Sequence, residues 1–241
     1  MTEQSLDKVV ALTTVFRTPA LIKNAYKSFR MFYPRMKLYI VNNSGLEDPC
    51  TDFIYGLIDR DFNTILINSD KNVGHGDGMC LGLKHIKEDY AFIFDSDVVF
   101  KVGGFLEQMI MMMEDDTYAI GEVLMLDEGG RNVPLNYGGI IVPTIFEAYA
   151  LFSIDNYYKY HKFTKFGIPP FMAAKEIQKR GLSNKIIKSF PMRKHLVHLS
   201  GGTRAQFGDC EDIVDGFKGK KGDMDNPYID GDPNLIQKEI I

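Results

Sequence analysis

The sequence predicts an α/β fold with a mostly parallel central sheet flanked by helices. Three observations carry this. Short apolar runs alternate with helix-period patterns through the first half, which is the rhythm of βαβ units. The run Tyr90-Ala91-Phe92-Ile93-Phe94 has no polar face, as expected of a central strand covered on both sides. The chain of 241 residues is 45% hydrophobic, enough for a substantial core.

The elements follow in order. Residues 9–15 read as the first strand. Thr18 stands as an N-cap with Pro19 at the first helical position, and Ile22, Ala25, Phe29 and Phe32 repeat at helical spacing until Pro34 stops the run. Residues 38–41 and 64–67 form two further strands. Leu83 and Ile86 mark one face of a helix over about 78–89, and 91–94 complete the first sheet. The second half is less regular. A hairpin through 128–131 is expected, then helices near 156–166 and 172–180. From Gly216 onward, Gly, Asp, Lys and Pro dominate, which predicts a loop-rich extension over 216–241.

Bulk features exclude several classes. Cys50, Cys80 and Cys210 form neither a disulfide framework nor a CxxC motif, so a reducing cytoplasm is the expectation. The N-terminus lacks signal-peptide character. The longest apolar stretch, 138–154, is interrupted by Pro143 and Glu147, so no membrane span is expected. The net charge of −4 is uneven: residues 155–194 hold ten Lys or Arg against Asp155 and Glu176, a local +8. This is either a solvated basic face or a surface for phosphate-bearing molecules, with peripheral membrane contact compatible with it.

The chemistry concentrates at the end of the central strand. Asp95-Ser96-Asp97 offers two carboxylates at the sheet edge where open α/β sheets bind ligands. Hard cations such as Mg²⁺ or Mn²⁺ take such oxygens and share them with substrate phosphates. Alone, the triplet is weak evidence, because aspartates also end strands and cap helices. Upstream, Asn72-Val73-Gly74-His75-Gly76-Asp77-Gly78 joins a strand to a helix, and its glycines permit close backbone approach to a nucleotide. It is neither GxGxxG nor GxxxxGK[ST], which removes the main support for dinucleotide or P-loop binding. Downstream, His198 opens His198-Leu199-Ser200-Gly201-Gly202-Thr203 and supplies an imidazole as a third metal ligand; His195 is the weaker candidate.

Taken in order, these motifs resemble the family 2 glycosyltransferases with the GT-A fold, over about Val9 to Arg204. The family's Val-Asp-Asn-x-Ser strand end is similar to Val41-Asn42-Asn43-Ser44, and its Asn-x-Gly to Asn72-Val73-Gly74. Its Asp-x-Asp is matched by Asp95-Ser96-Asp97, with Gly121 and Gly129-Gly130 continuing the pattern. Its His-x-Gly-Gly-x-Ser-like element finds its nearest match in His198, Gly201, Gly202 and Thr203. The resemblance implies one GT-A domain over 1–215, with a donor half to about 120 and an acceptor half after it. It also implies a nucleoside diphosphate sugar donor held by Thr14, Arg17, Asn42, Asn72, Gly74, Asp95 and Ser96. The metal, Mn²⁺ or Mg²⁺, would rest on Asp95, Asp97 and His198. The implied reaction is an inverting hexosyl or pentosyl transfer to a saccharide, a lipid-linked acceptor or a nucleic acid.

Two departures stand out. Asn42 replaces the family's aspartate, exchanging a pure acceptor for a group that both donates and accepts, so uracil is implied less firmly than in the family at large. The family's Glu-Asp pair, which supplies the general base, would fall near Pro169-Pro170 by spacing back from Gly181. Asp155, Glu147 and Glu176 are the remaining candidates in the acceptor half, and Asp155 is taken as the base. Two rival readings follow. One is a nucleotidyltransferase, which wants an early basic phosphate loop where only Arg17 stands. The other is a non-catalytic nucleotide-sugar or carbohydrate-binding module.

Overall fold

The computed structural model describes residues 5–134, 137–164 and 167–199. Its elements are β1 (Val9–Val15), α1 (Pro19–Phe32), β2 (Leu38–Asn42), α2 (Pro49–Ile58), β3 (Thr64–Asn68), α3 (His75–Leu83), β4 (Tyr90–Asp95) and β5 (Val98–Phe100). There follow α4 (Phe105–Met112), β6 (Ala119–Leu126), β7 (Val142–Ser153), α5 (Ile154–Tyr157), α6 (Phe171–Lys179), α7 (Ser183–Ile186), β8 (Ile187–Ser189) and β9 (Leu196–His198). The main sheet has the order β3-β2-β1-β4-β7-β6-β8, and β5 pairs with β9 in a small second sheet. Within the main sheet only β7 runs against the other described strands. The expected mostly parallel sheet flanked by helices is present.

Two apolar layers cover the sheet. On one face Ile22, Ala25 and Phe29 of α1 and Phe105, Leu106 and Met109 of α4 pack on Phe92 and Phe94. On the other, Met79 and Leu83 of α3 and Ala173, Ala174 and Ile177 of α6 pack on Leu12, Ile93 and Phe152. Alternate residues of β4 thus feed opposite layers, which is why that strand has no polar face. The Phe29 ring lies 5.2 Å from that of Phe94 and 5.3 Å from that of Phe100. This aromatic cluster fixes the strand immediately before Asp95.

Several boundaries differ from the sequence expectation. Helix α3 begins at His75 rather than near Gly78, because Gly74 at φ +96° turns the chain directly into the helix. It ends at Leu83, although Ile86 beyond it stays buried. The helix expected over 156–166 is the single turn α5. Ser153 caps it, and the Asn156 side chain donates to the carbonyls of Asp115 and Thr117 instead of facing solvent along a longer helix. Thr18 precedes α1 but makes no side-chain cap; its hydroxyl lies 3.4 Å from that of Ser96. The hairpin is present as β6 and β7. Asp127 accepts from the Gly129 and Arg131 amides at the turn, and β7 starts only at Val142. No described helix is long and apolar enough to cross a membrane, and much of the 138–154 stretch is strand β7. The extension expected over 216–241 lies outside the described residues, as do Cys210, Gly201, Gly202 and Thr203.

Two glycines of similar sequence appearance carry opposite constraints. A Cβ on Gly76 would lie 1.8 Å from the Thr164 carbonyl oxygen, whereas one on Gly56 in α2 meets nothing within 4 Å. Gly76→Ala is therefore expected to lose about 1–3 kcal/mol through overpacking. Gly56→Ala is expected to gain up to about 1 kcal/mol from helix propensity and reduced chain entropy. Thermal melts of the two variants check this, with shifts of opposite sign as the expected result.

Candidate active site

Parallel pairing brings the strand ends together. Thr14 of β1 stands in register with Asp95 of β4, and Val15 with Asn42 of β2, so all three strands deliver residues to one sheet edge. After Asp95 the chain turns through Ser96 and Asp97 into β5. There Val98 pairs with His198 of β9, and the Leu199 amide donates to the Asp97 carbonyl at 2.9 Å. That short antiparallel pair carries His198 back across roughly a hundred residues of chain to the aspartates.

His198 Nε2 lies 3.1 Å from Asp97 Oδ1 and 3.6 Å from Asp95 Oδ2. One ligand atom from each of Asp95, Asp97 and His198 falls within 4.8 Å of the other two. Ligands about 2.0–2.2 Å from a shared ion have separations of this order, so the three fit one divalent cation. Two carboxylate oxygens and an imidazole suit Mn²⁺, and Mg²⁺ less well because it prefers oxygen throughout. The rings of Phe146 and Tyr149 meet His198 edge-on at 5.4 and 5.8 Å and hold its plane. Tyr149 is anchored in turn on Glu122 at 2.7 Å.

The sequence reading did not single out His75. At the first position of α3, its Nε2 sits 3.3 Å from Asp95 Oδ1, with 37% of the side chain exposed. Its one sequence signal is its place directly after the Asn-x-Gly turn, where a helix start points toward the strand ends. Glu147, one of the three base candidates named from the sequence, also lies near this edge, where Asp95, His75 and His198 act on it. It is 5% exposed within the apolar strand β7, and its Oε2 has no hydrogen-bond partner among the described residues.

These groups set one another's protonation. Burial disfavours a charged Asp95, but His75 and His198 outweigh it and hold the carboxyl well below the usual carboxylate range. Burial likewise opposes protonation of both imidazoles. The Asp95 carboxylate nevertheless lifts His75 to about 9, and the carboxylates of Asp95 and Asp97, accepting hydrogen bonds from the His198 ring, lift that imidazole to about 10. Burial, then the nearby Asp95 charge, pushes Glu147 up to about 8 against the pull of His75 and His198.

The donor-side residues divide. Asn42 was expected to meet the nucleotide, but it is fully buried and its amide is consumed: Nδ2 donates to Thr51 Oγ1 and Asn68 Oδ1, and Oδ1 accepts the Ser44 amide. It ties β2 to α2 and β3. Asn72 closes its own turn by accepting the Gly74 amide, and Asn43 donates to the Gly74 carbonyl, so both shape the loop. Thr14 Oγ1 is buried without a partner among the described residues, and the Ser96 hydroxyl faces Thr18. Arg17 has φ +52°, unusual outside glycine. Its amide donates to Ser44 Oγ and its guanidinium pairs with Asp48 at 2.8 Å. Arg17, Ser44, Asp48 and Asp70 help to line a cavity of about 430 Å³, a size suited to a small-molecule moiety.

The structure does not bring Asp155 to this edge. In the β4–β7 register Tyr90 faces Ser153 and Phe94 faces Tyr149, so Asp155 lies beyond the opposite end of β4, roughly 17 Å away at strand spacing, and is exposed. Glu176 is engaged by Arg180 and the His161 amide. The basic segment is partly neutralised from outside: Lys185 pairs with Asp116, Lys188 with Glu114 and Arg193 with Glu122.

Comparison with known proteins gives three findings. The family model for glycosyl transferase family 2 matches residues 10–183. No curated protein matches. Among solved structures, mannosyltransferase PcManGT from Pyrobaculum calidifontis, in complex with GDP-Man and Mn²⁺, aligns with a TM-score of 0.57 at 12% identity over 76% of this chain and 55% of that one. TarS from S. aureus aligns at 0.53 and 12% over 78% of this chain and 36% of that one. TarS 1–349 in complex with UDP-GlcNAc gives 0.53 and 11%, over 78% and 57%. The chain spans little more than half the length of these structures, or less. At such identity the likeness is one of fold, and that fold is GT-A.

The cluster makes a signed prediction for the metal-free chain. Glu147, His75 and His198 have folded-state pKa values raised from 4.5, 6.5 and 6.5. Their stabilising contributions are complete below those ordinary values and are lost as pH rises through the folded ones. Asp95 works the other way, contributing above its ordinary 3.8 and losing that as pH falls. Stability should therefore fall with rising pH, most steeply between 6.5 and 8, where all three raised groups act together. Thermal melts in EDTA check it; a melting temperature that climbs across that interval contradicts the assignment.

Proposed function

The chain belongs to glycosyl transferase family 2, and on that footing we propose that it moves a sugar from a nucleoside diphosphate sugar to an acceptor hydroxyl with the help of a divalent cation. The observation that supports this most is the gathering of Asp95, Asp97 and His198 at the end of the central strand. A cation held there would neutralise negative charge on the departing diphosphate. The chain's own residues position the reactants. Asp95 and Asp97 hold the cation side, and the turn at 72–74 lays α3 against the same edge. The cavity beside Arg17 takes the nucleoside end of the donor. A mannosyltransferase of this fold solved with GDP-Man and Mn²⁺, and another structure of it with UDP-GlcNAc, fit this division of labour.

The acceptor is a saccharide, a lipid-linked molecule or a nucleic acid. The pairing of Lys185, Lys188 and Arg193 with acidic side chains leaves less free positive charge for phosphates than the local +8 suggests. One feature favours a binding module as the second reading: by spacing, the family's base would fall near Pro169-Pro170, where no carboxylate stands, and Pro170 is the N-cap of α6.

A thermal-shift screen tests the reading with UDP-glucose, UDP-N-acetylglucosamine, GDP-mannose and dTDP-rhamnose, with and without Mn²⁺. A nucleotide sugar at about a hundred times its Kd stabilises the folded state by about 2.7 kcal/mol, a shift of several degrees. The expected result is stabilisation by one donor that requires Mn²⁺ and disappears in Asp97→Asn. Equal stabilisation in EDTA would sink the metal assignment. Turnover, followed as nucleoside diphosphate release, should fall at least about 10²-fold in the same variant. Donor binding without any turnover in the unaltered chain would favour the binding module.

A further inference from the structure

Glu147 is a costly residue for its position. Strand β7 reads Val-Pro-Thr-Ile-Phe-Glu-Ala-Tyr-Ala-Leu-Phe-Ser, and this is its one charged side chain. It is 5% exposed, and Oε2 has no hydrogen-bond partner among the described residues. A buried polar atom without a partner costs about 1–3 kcal/mol, more when it is charged, so such a group calls for a reason beyond folding. No Lys or Arg is among the principal charges acting on it; Asp95, His75 and His198 are.

Its place supplies the reason. Strand β7 runs antiparallel to β4 with Phe94 opposite Tyr149, so Glu147 lies two residues past that pair, level with the turn at Ser96 and beside the aspartates. The remaining acidic candidates of the acceptor half are spent or distant. Asp155 is exposed beyond the far end of β4, Glu176 serves Arg180 and His161, and Glu122 serves Tyr149 and Arg193. By spacing, the family's own base would fall near Pro169-Pro170, where no carboxylate stands.

We propose, resting on the transfer reaction above, that Glu147 is the catalytic base and accepts the proton of the attacking hydroxyl. The O–H bond of the acceptor breaks toward the Glu147 carboxylate while the acceptor oxygen bonds to the anomeric carbon. The bond from that carbon to the diphosphate oxygen breaks, and its electron pair leaves with the nucleoside diphosphate. Proton and charge balance without a further reactant. The hydroxyl also provides the hydrogen-bond donor that Oε2 lacks, so the group is paired only when an acceptor is in place. The titratable groups around it are Asp95 on β4, His75 on α3 and His198 on β9.

The test uses the full chain with Mn²⁺ and whichever nucleotide sugar of the four-donor panel stabilises it, with water as the acceptor and nucleoside diphosphate release as the readout. Glu147→Gln should lower kcat by about 10²–10⁴-fold, leave KM and the donor-dependent thermal shift nearly unchanged, and abolish the acid limb of the kcat pH profile. Glu147→Asp keeps a carboxyl and should retain that limb at an intermediate rate, which covers the case in which the amide variant folds poorly. Unchanged kcat in Glu147→Gln, or a rise in KM with the acid limb intact, overturns the base assignment while leaving the family reading in place. Donor binding with no turnover in the unaltered chain also overturns it. If none of the four donors stabilises the unaltered chain, the transfer reading fails and takes this assignment with it.

Discussion

Asp95 ends a strand that is buried on both faces, and its carboxyl is held between two imidazoles, one from the start of α3 and one from β9. Much of the architecture can be understood as the means of building that contact. The aromatic cluster of Phe29, Phe94 and Phe100 fixes the strand behind it. Gly74 at φ +96° starts α3 where His75 can reach it, and the Val98–His198 register brings the second imidazole from the end of the described chain. Two aspartates this close repel each other unless cations intervene. In the metal-free chain protonated histidines fill that role, and a divalent ion would displace those protons.

The parallel half of the fold was legible because its signals are local. Strand β1 has the predicted bounds, and β2, β3 and β4 lie within a residue of theirs, each run being apolar and bounded by turn residues. The Asp-x-Asp and His198 were readable from residue type and order. What escaped reading depended on tertiary context. The length of α5 is set by Asn156 reaching the carbonyls of Asp115 and Thr117, contacts that no periodicity encodes. Asn42 matched a motif position, yet its amide is spent on Thr51, Asn68 and Ser44, which only the packing of α2 reveals. His75 acquires meaning only when α3 meets the end of β4. Glu147 stood among the three base candidates in sequence, and placing Asp155 ahead of it ignored which end of β7 faces the aspartates.

The electrostatics of the second half of the chain change with folding. A +8 segment in sequence becomes a set of partly internal pairs, because the stretch 114–122 brings Glu114, Asp116 and Glu122 beside Lys188, Lys185 and Arg193. Arg193 and Tyr149 both converge on Glu122, so this pairing also braces the ring that holds His198. Charge that looks like a binding surface along the chain is in part the scaffold of the Asp95, Asp97 and His198 cluster.

Anomalous diffraction at the manganese edge from a crystal grown with Mn²⁺ and a nucleoside diphosphate tests the central claim most directly. The account predicts one strong peak about 2.0–2.3 Å from carboxylate oxygens of Asp95 and Asp97 and from the His198 imidazole, shared with the diphosphate. A peak elsewhere, or ordered nucleotide with no metal beside those three side chains, would contradict it.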